Sequence, residues 1–223
     1  MRGEDLAGAA AEFFDLGAHY PSLEEFPELA PWRETAQWLR MLRQDPWETV
    51  VAFLLSSNNH MKRIQRSIWK LSENYGPLLA EAGGLALHGL PSPEVLAALD
   101  PSELRELGAG YRDKYLVGSA QIIASGALSL EELDQLSYDE AHRRLKELPG
   151  VGDKVADCIL LFGYHKMEAF PVDVWVERVM REVYPREDFK NRKAIAAFGR
   201  ERFGPYSGYF QQLLFTGRRE MKG

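Results

Sequence analysis

The stretch that decides the fold is LPGVGDKVADC, residues 148–158. It places a Pro-Gly-x-Gly break directly before Lys154 and the chain's single cysteine, Cys158. The preceding segment, YDEAHRRLKE at 138–147, has helical spacing, and helical spacing resumes at Asp153. The pattern therefore predicts a helix, a tight glycine hairpin and a second helix.

A hairpin of this kind can bind a phosphate. Its glycines let backbone N–H groups approach a ligand, and the second helix presents the positive end of its dipole. We expect Gly150, Val151 and Gly152 to make this contact with a phosphate group, without contact to a base. The alternative is an ordinary turn between two core helices, because short Gly-rich turns are common at helix ends.

The rest of the chain predicts an all-α fold, since helical spacing occurs nearly everywhere and period-2 alternation is almost absent. Residues 58–76, NNHMKRIQRSIWKLSENYG, give the clearest helix, with an apolar stripe and a basic stripe. Glycine and proline breaks separate roughly ten short helices. We expect an acidic segment over 1–45 that packs with a C-terminal subdomain, a central helical subdomain over 46–150 that ends at the hairpin, and the C-terminal helical subdomain over 151–223.

Composition excludes several classes of site. The single cysteine rules out an internal disulfide, a four-cysteine zinc site and an iron–sulfur cluster, and the five histidines show no ligand spacing. The longest apolar run, VVAFLL at 50–55, is too short to span a bilayer, and no secretion leader is evident. We therefore expect an intracellular monomer, in the cytoplasm or nucleoid, that requires no cofactor.

The net charge of −6 argues against nucleic-acid binding, but the distribution of the charges along the chain matters more than their sum. Residues 1–30 carry seven acids and one base, so the remaining 193 residues hold 26 charges of each sign. A neutral body can still present a basic face, and phosphate responds to the local potential.

Two side chains suggest chemistry at a sugar. Lys154 opens the second helix, where the dipole and partial burial disfavour an ammonium, so it is a candidate nucleophile that forms a Schiff base. Asp173 follows Pro171 and precedes a helical segment, so we expect it to cap that helix. An ionised aspartate would also suit a developing positive charge on a sugar. Cys158 lies one turn after Lys154. Its alternative, purely structural role is that of a small buried hydrophobic side chain.

The chain resembles the 8-oxoguanine DNA glycosylase/AP lyase branch of the helix-hairpin-helix base-excision glycosylases. The resemblance covers roughly residues 40–220, by motifs in order. These are LRQDPWETVVAFLLSSNNHMKRI (42–64), LGAGYRDKY (107–115), SYDEAHRRLKELPGVGDKVADC (137–158), PVDVW (171–175) and FGPYSGYFQQLLF (203–215). It implies two helical subdomains with the active-site cleft between them, and excision of an oxidised purine, 8-oxoguanine opposite cytosine, from double-stranded DNA.

The resemblance also implies roles for individual residues. Lys154 is the catalytic lysine and Asp173 the essential aspartate. Cys158 and Phe215 hold the flipped base between them, and Gln211 bonds its Watson–Crick edge; Gln211 and Phe215 also share a helix face by spacing. Four more residues fill the vacated stack and read the orphaned cytosine: Asn58, Arg63, Tyr111 and Arg112. The alternatives from the residues themselves are a helix N-cap for Asn58 and a loop anchor for Tyr111.

Further implications concern ions and departures from the family pattern. The carbonyls of Lys146, Leu148 and Val151 match positions that hold a monovalent cation in relatives. Trp175 stands where relatives have a histidine that contacts phosphate. The β-rich N-terminal domain that helps eukaryotic relatives recognise 8-oxoguanine has no counterpart here, so the acidic first forty residues are a candidate for that contact.

Two other functions compete with this one. The first is a glycosylase for alkylated purines that uses water and no lysine. The second is a non-catalytic helix-hairpin-helix DNA-binding module, which needs only the glycines and would leave the catalytic and pocket residues idle.

Overall fold

The computed structural model describes residues 3–220. Its chain forms two compact units. The central unit is Asp45–Ala156; the terminal unit combines the residues up to Gln44 with those from Asp157 onward. The division thus falls just after the hairpin rather than within it.

The all-α prediction is confirmed, because helices account for nearly all regular structure in the described residues. The terminal unit contains α1 (Gly3–Phe13), α2 (Arg33–Trp38), α11 (Val174–Val183), α12 (Arg192–Phe203) and α13 (Ser207–Glu220). The central unit contains α3 (Pro46–Ser56), α4 (Met61–Tyr75), α5 (Pro93–Ala97), α6 (Pro101–Leu104), α7 (Asp113–Ala124), α8 (Leu130–Gln135) and α9 (Tyr138–Leu145). Helix α10 (Asp153–Gly163) contains the division between the units. None of the described helices has the length and apolar content of a membrane span.

Side chains at the helix starts explain several boundaries. Asp45 caps α3 by accepting the N–H of Glu48 at 2.9 Å, and Pro46 follows at the first helical position. Ser137 and Glu140 form a capping box at the start of α9. This capping box fixes the start of α9, the helix that leads into the hairpin.

Helix α4 confirms the amphipathic prediction and corrects one detail. Ile64 and Leu71 are buried, while its basic side chains are exposed. The helix begins at Met61, where the ring Nδ1 of His60 accepts the N–H of Arg63 at 3.3 Å. The N-cap is therefore His60. The interpretation of Asn58 as the cap is wrong, because Asn58 lies in the turn before it with φ +49°.

One element was not expected from sequence. Strand β1 (Leu78–Ala82) pairs antiparallel with β2 (Leu85–His88) across the Gly83-Gly84 turn. Period-2 alternation is missing because neither face is fully buried: Leu78, Leu79, Leu85 and Leu87 are all exposed. A hairpin whose apolar side chains remain in solvent lacks the pattern by which strands are recognised.

Aromatic side chains fill the core of the terminal unit. Phe210 packs on Phe26 at 4.5 Å and on Phe203 at 4.8 Å between ring centroids, and the second pair is stacked. Phe170 lies beside Phe203 at 6.0 Å. This cluster joins the N-terminal residues to α12 and α13.

An ion pair joins the same segments. Glu28 accepts hydrogen bonds from the Tyr184 hydroxyl at 2.8 Å and from Arg202 Nη2 at 2.7 Å. Burial raises the pKa of the Glu28 carboxyl, but hydrogen bonds from its own N–H, Tyr184 and Arg202 outweigh burial and leave the pKa below its usual value. The carboxylate therefore stabilises the fold in its charged form.

The first prediction concerns this carboxylate. Glu28→Gln keeps the shape but removes the charge, so we expect the free energy of unfolding at pH 7 to fall by roughly 1–2 kcal/mol. A lowered pKa in the folded state gives stability that is present at neutral pH and lost as the pH falls through that value. The difference from the parent protein should therefore shrink in acid, which urea unfolding at several pH values measures. The exposed Glu34 on α2 provides the control Glu34→Gln; equal losses in both variants would contradict the role of Glu28.

Candidate functional site

The hairpin is closed by its own backbone. Val151 donates its N–H to the carbonyl of Leu148 at 3.1 Å, and Gly150 has φ +81°. Within residues 3–220, the N–H groups of Gly150 and Gly152 have no hydrogen-bond acceptor. Both glycines are exposed, so these donors are available to an anion that approaches the start of α10.

Helix α7 packs against the hairpin. A Cβ on Gly150 would lie 2.6 Å from Cδ2 of Tyr115, and one on Gly118 would lie 3.2 Å from Cγ of Pro149. The Ser119 hydroxyl donates to the Pro149 carbonyl at 3.4 Å. Both the positive φ and the contact with Tyr115 therefore require glycine at position 150.

Charged side chains flank the hairpin. Lys146 Nζ lies 2.5 Å from Asp153 Oδ1, and His142 Nε2 lies 3.3 Å from the Asp153 carbonyl. These contacts join the end of α9 to the start of α10. In the described part of the chain, no group of three or more His, Cys, Asp or Glu side chains could hold a metal ion.

Lys154 is the second residue of α10 and is half-buried. Its Nζ lies 5.2 Å from the centroid of the Phe53 ring on α3. This distance is within the range of a cation–π contact. The ring therefore forms one wall beside the amine.

A second group of the predicted residues lies together in the central unit, around the turn between α3 and α4. Tyr111 donates its hydroxyl to the Ser57 carbonyl at 3.2 Å, and the Arg112 guanidinium lies 4.4 Å from the Tyr111 ring centroid. A Cβ on Gly110 would lie 3.7 Å from both Arg112 Nη1 and Arg63 Nη2. The structure thus brings Asn58, Arg63, Tyr111 and Arg112 to one place, and Tyr111 anchors the loop as its aromatic character suggested.

Asp173 caps α11, as predicted. Its Oδ1 accepts the N–H groups of Trp175 at 2.9 Å and Val176 at 2.8 Å. Both bonds use the same oxygen, so Oδ2 takes part in neither. The carboxylate is only half-buried and is held in one orientation by the helix.

The three predicted base-pocket residues belong to the terminal unit. Cys158 on α10 is buried, which agrees with a small apolar side chain, and Phe215 on α13 is half-buried. Gln211, one turn before Phe215, is 4% exposed, and its Oε1 has no hydrogen-bond partner in the described residues. A buried amide oxygen without a partner costs free energy, so it indicates a donor that arrives with a ligand.

Trp175 is partly exposed at the start of α11. The guanidinium of Arg178 lies 5.3 Å from the centroid of its ring. A positive charge therefore accompanies the tryptophan at the position where the resemblance implies a histidine.

Sequence reasoning missed two residues beside these groups. Tyr115 contacts both the hairpin and Tyr111, whose ring centroid is 6.1 Å away. Phe53 lies beside Lys154. The spacing of Tyr111 and Tyr115 is a weak signal for Tyr115. Phe53 lies in a largely apolar helix, so the sequence does not distinguish it from core residues.

Residues 51–205 match the family model described as HhH-GPD superfamily base excision DNA repair protein. A probable N-glycosylase/DNA lyase of Methanothermobacter thermautotrophicus is 35% identical over 92% of this chain and 71% of its own length. The N-glycosylase/DNA lyase of Saccharomyces cerevisiae is 37% identical over 77% of this chain, which spans only 47% of the yeast protein.

A solved structure agrees with these relatives. The Clostridium acetobutylicum 8-oxoguanine glycosylase/lyase, in complex with double-stranded DNA containing cytosine opposite 8-oxoG, superposes with a TM-score of 0.92. It is 36% identical, and the match covers 100% of this chain and 78% of that one. The family model and the archaeal relative each cover enough sequence to establish the family. The chain belongs to the HhH-GPD superfamily of base excision DNA repair proteins.

Proposed function

We propose that this protein is a bifunctional DNA glycosylase/AP lyase that excises an oxidised purine, 8-oxoguanine opposite cytosine, during base excision repair. The observation that carries the proposal is Lys154, a half-buried amine at the start of the helix that follows the glycine hairpin. The relatives named N-glycosylase/DNA lyase support it. It acts inside the cell, as a monomer, on double-stranded DNA.

The chemistry assigns separate tasks to two residues. Lys154 Nζ attacks C1′ of the damaged nucleotide, and the N-glycosidic bond breaks with its electron pair leaving on the base. Asp173 stabilises the positive charge that develops on the sugar. The nitrogen lone pair of the adduct then opens the sugar ring by breaking the C1′–O4′ bond, and O4′ takes up a proton, which gives a protonated Schiff base between Lys154 and C1′. Removal of a C2′ proton then expels the 3′ phosphate by β-elimination.

The terminal unit supplies recognition of the base. Gln211 Oε1, which is buried and has no partner within the described part of the chain, accepts a hydrogen bond from an N–H on the Watson–Crick edge of the extruded purine. The ring of Phe215 and the sulfur of Cys158 offer flat, polarizable surfaces to its two faces. An empty acceptor in an apolar setting favours a purine that carries donors on that edge, as guanine derivatives do.

The central unit supplies most of the DNA contacts. The free N–H groups of the hairpin bind a backbone phosphate. Asn58, Arg63, Tyr111 and Arg112 occupy the space that the flipped nucleotide leaves and face the opposite cytosine. In the terminal unit, Arg178, beside Trp175, provides a further positive charge for a phosphate.

The hairpin also has the donor set for a monovalent cation. The carbonyls of Lys146, Leu148 and Val151 are neutral, hard oxygen donors within one turn, which suit such an ion better than a transition metal. A bound cation would add positive potential near the phosphate. It is not required for the steps assigned to Lys154 and Asp173.

The second prediction tests the nucleophile. Lys154→Gln removes the amine but keeps a polar side chain, so we expect normal binding to lesion DNA, no adduct after borohydride reduction, and severe loss of excision. Gel analysis of reduced reactions measures the adduct, and the exposed Lys190→Gln is the control. A reducible cross-link at the parental rate would mean that another amine is the nucleophile. A parent protein that excises alkylated purines without any trappable adduct would instead indicate the water-dependent glycosylase.

The third prediction tests the carboxylate. Asp173→Asn keeps the shape and much of the cap, so we expect unchanged DNA binding and an excision rate about 100-fold lower, the size typical for loss of one preorganised electrostatic group. Strand cleavage at a preformed abasic site should suffer less, because the glycosidic bond is already gone. Single-turnover kinetics on the two substrates measure both rates. Equal losses would assign Asp173 to the lyase step as well, and thermal unfolding excludes a lost helix cap as the cause.

The fourth prediction tests the base pocket. Phe215→Ala removes the stacking surface, so excision of 8-oxoguanine should fall about 10- to 100-fold, as base stacking is worth 1–3 kcal/mol. Binding to a duplex with an abasic site should change little, because no base enters the pocket. The exposed Trp38→Ala is the control. Equal losses on both duplexes would show that Phe215 supports the fold only.

A further inference from the structure

The terminal unit contains a cavity of about 550 Å³ that is lined by none of the residues assigned above. Its lining comes from residues 18–24, from α2 with the following Arg40, and from Tyr209 on α13. Small-molecule sites in proteins have volumes of about 300–1,000 Å³. The cavity is therefore large enough for a small organic ligand.

Two stacked tyrosine rings form part of the lining. The rings of Tyr20 and Tyr209 lie 4.5 Å apart between centroids, with 22° between their planes. Both hydroxyls already donate hydrogen bonds inside the unit, Tyr20 to the carboxylate of Asp15 and Tyr209 to the carbonyl of Ala36 at 3.3 Å. The tyrosines therefore give the cavity a fixed surface, and their hydroxyl protons are not available to a ligand.

Two guanidinium groups in the lining keep unused donors. The side chain of Arg33 makes no hydrogen bond or ion pair with any residue in 3–220. Arg40 uses one of its five N–H donors, on the carbonyl of Leu39 at 2.8 Å, and its guanidinium lies 5.6 Å from the Tyr20 ring centroid. Other arginines of this unit are ion-paired: Arg43 with Asp15, and Arg202 with Glu28. The cavity thus collects positive charge that folding leaves unpaired.

The position of Arg33 has no evident benefit for the fold. Arg33 is the first residue of α2, where the helix dipole disfavours a positive charge. Gln37 lies one turn later on the same helix face and lines the same cavity, and its exposed amide has no hydrogen-bond partner in the described residues. A guanidinium fork is suited to the oxygens of a phosphate. These groups together indicate an anionic ligand.

Glu24 is the one acid among the described residues that line the cavity, and it is exposed. A carboxylate repels phosphate, but it accepts hydrogen bonds from sugar hydroxyls, as acidic residues do for ribose in dinucleotide sites. We propose that the cavity binds the ribose phosphate group of a small molecule, with Arg33 and Arg40 on the phosphate and Glu24 on the ribose hydroxyls. This site is separate in its residues from the proposed glycosylase site and does not depend on that function.

The test is calorimetric titration of the protein with inorganic phosphate, methyl phosphate and ribose 5-phosphate. We expect ribose 5-phosphate to bind about tenfold more tightly than methyl phosphate, which lacks the hydroxyls. Arg33→Gln and Arg40→Gln should each weaken its binding about tenfold, through loss of charge-assisted hydrogen bonds. Glu24→Gln should remove the preference for ribose 5-phosphate over methyl phosphate, and the exposed Arg186→Gln, in the same unit, is the control with parental affinity.

Three results would overturn the proposal. They are undetectable binding of ribose 5-phosphate, parental affinity in both arginine variants, and equal affinity for all three compounds, which would mean an adventitious ion only. Adenosine 5′-monophosphate carries the same group and identifies its source: tighter binding than ribose 5-phosphate would assign a nucleotide, and equal binding a sugar phosphate.

A measurement on the parent protein needs no variant. In an NMR titration with ribose 5-phosphate, the amide signals of residues 18–24 and 33–40 and the side-chain amide of Gln37 should shift. Shifts confined to residues 150–152 would place the phosphate at the hairpin and overturn the proposal. A parent protein that excises no lesion would refute the proposed function and leave both binding measurements as they are.

Discussion

The contact between Gly150 and Tyr115 is the constraint on which the hairpin side of the central unit depends. A side chain at position 150 would meet the ring at 2.6 Å, so the hairpin can rest on α7 only with glycine at this position. The same ring packs against Tyr111, which reaches the Ser57 carbonyl through its hydroxyl. One aromatic residue therefore touches both the hairpin and the group that holds the Asn58 turn. A change in either position is transmitted through packed atoms, which resist displacement.

The sequence predicted best those features that depend on local chemistry. Helix spacing, the glycine hairpin and the cap by Asp173 follow from interactions within a few residues, and each is found in the structure. The strands β1 and β2 were missed because their leucines stay exposed, so no alternation marks them. The left-handed backbone of Asn58 was also missed, since the Arg112 donor that bonds the Asn58 carbonyl lies far away in sequence. Long-range contacts of this kind leave no periodic signal.

The acidic N-terminal segment raised the main objection to a DNA-binding function, and part of its charge is compensated within the terminal unit. Asp15 accepts hydrogen bonds from the Tyr20 hydroxyl and from Arg43 Nε. Burial raises the pKa of Asp15, but these bonds and the nearby His165 outweigh it and bring the pKa below its usual value. Glu28 is held similarly by Tyr184 and Arg202. Carboxylates paired in this way contribute less to the potential that DNA meets than a count of charges implies.

Two buried polar side chains, Arg112 and Gln211, differ in whether their hydrogen-bonding groups already have partners in the protein. Arg112 donates its hydrogen bonds to main-chain carbonyls of its own unit, so these bonds already exist before any ligand binds. Gln211 keeps one buried amide oxygen that accepts no hydrogen bond from residues 3–220, and a buried acceptor that lacks a partner costs free energy. A ligand that donates to this oxygen recovers that cost, whereas a ligand that lacks the donor leaves it in place. Discrimination against a base without the matching N–H then follows from the gain that only the donating base provides, because binding of the other base leaves the penalty unchanged.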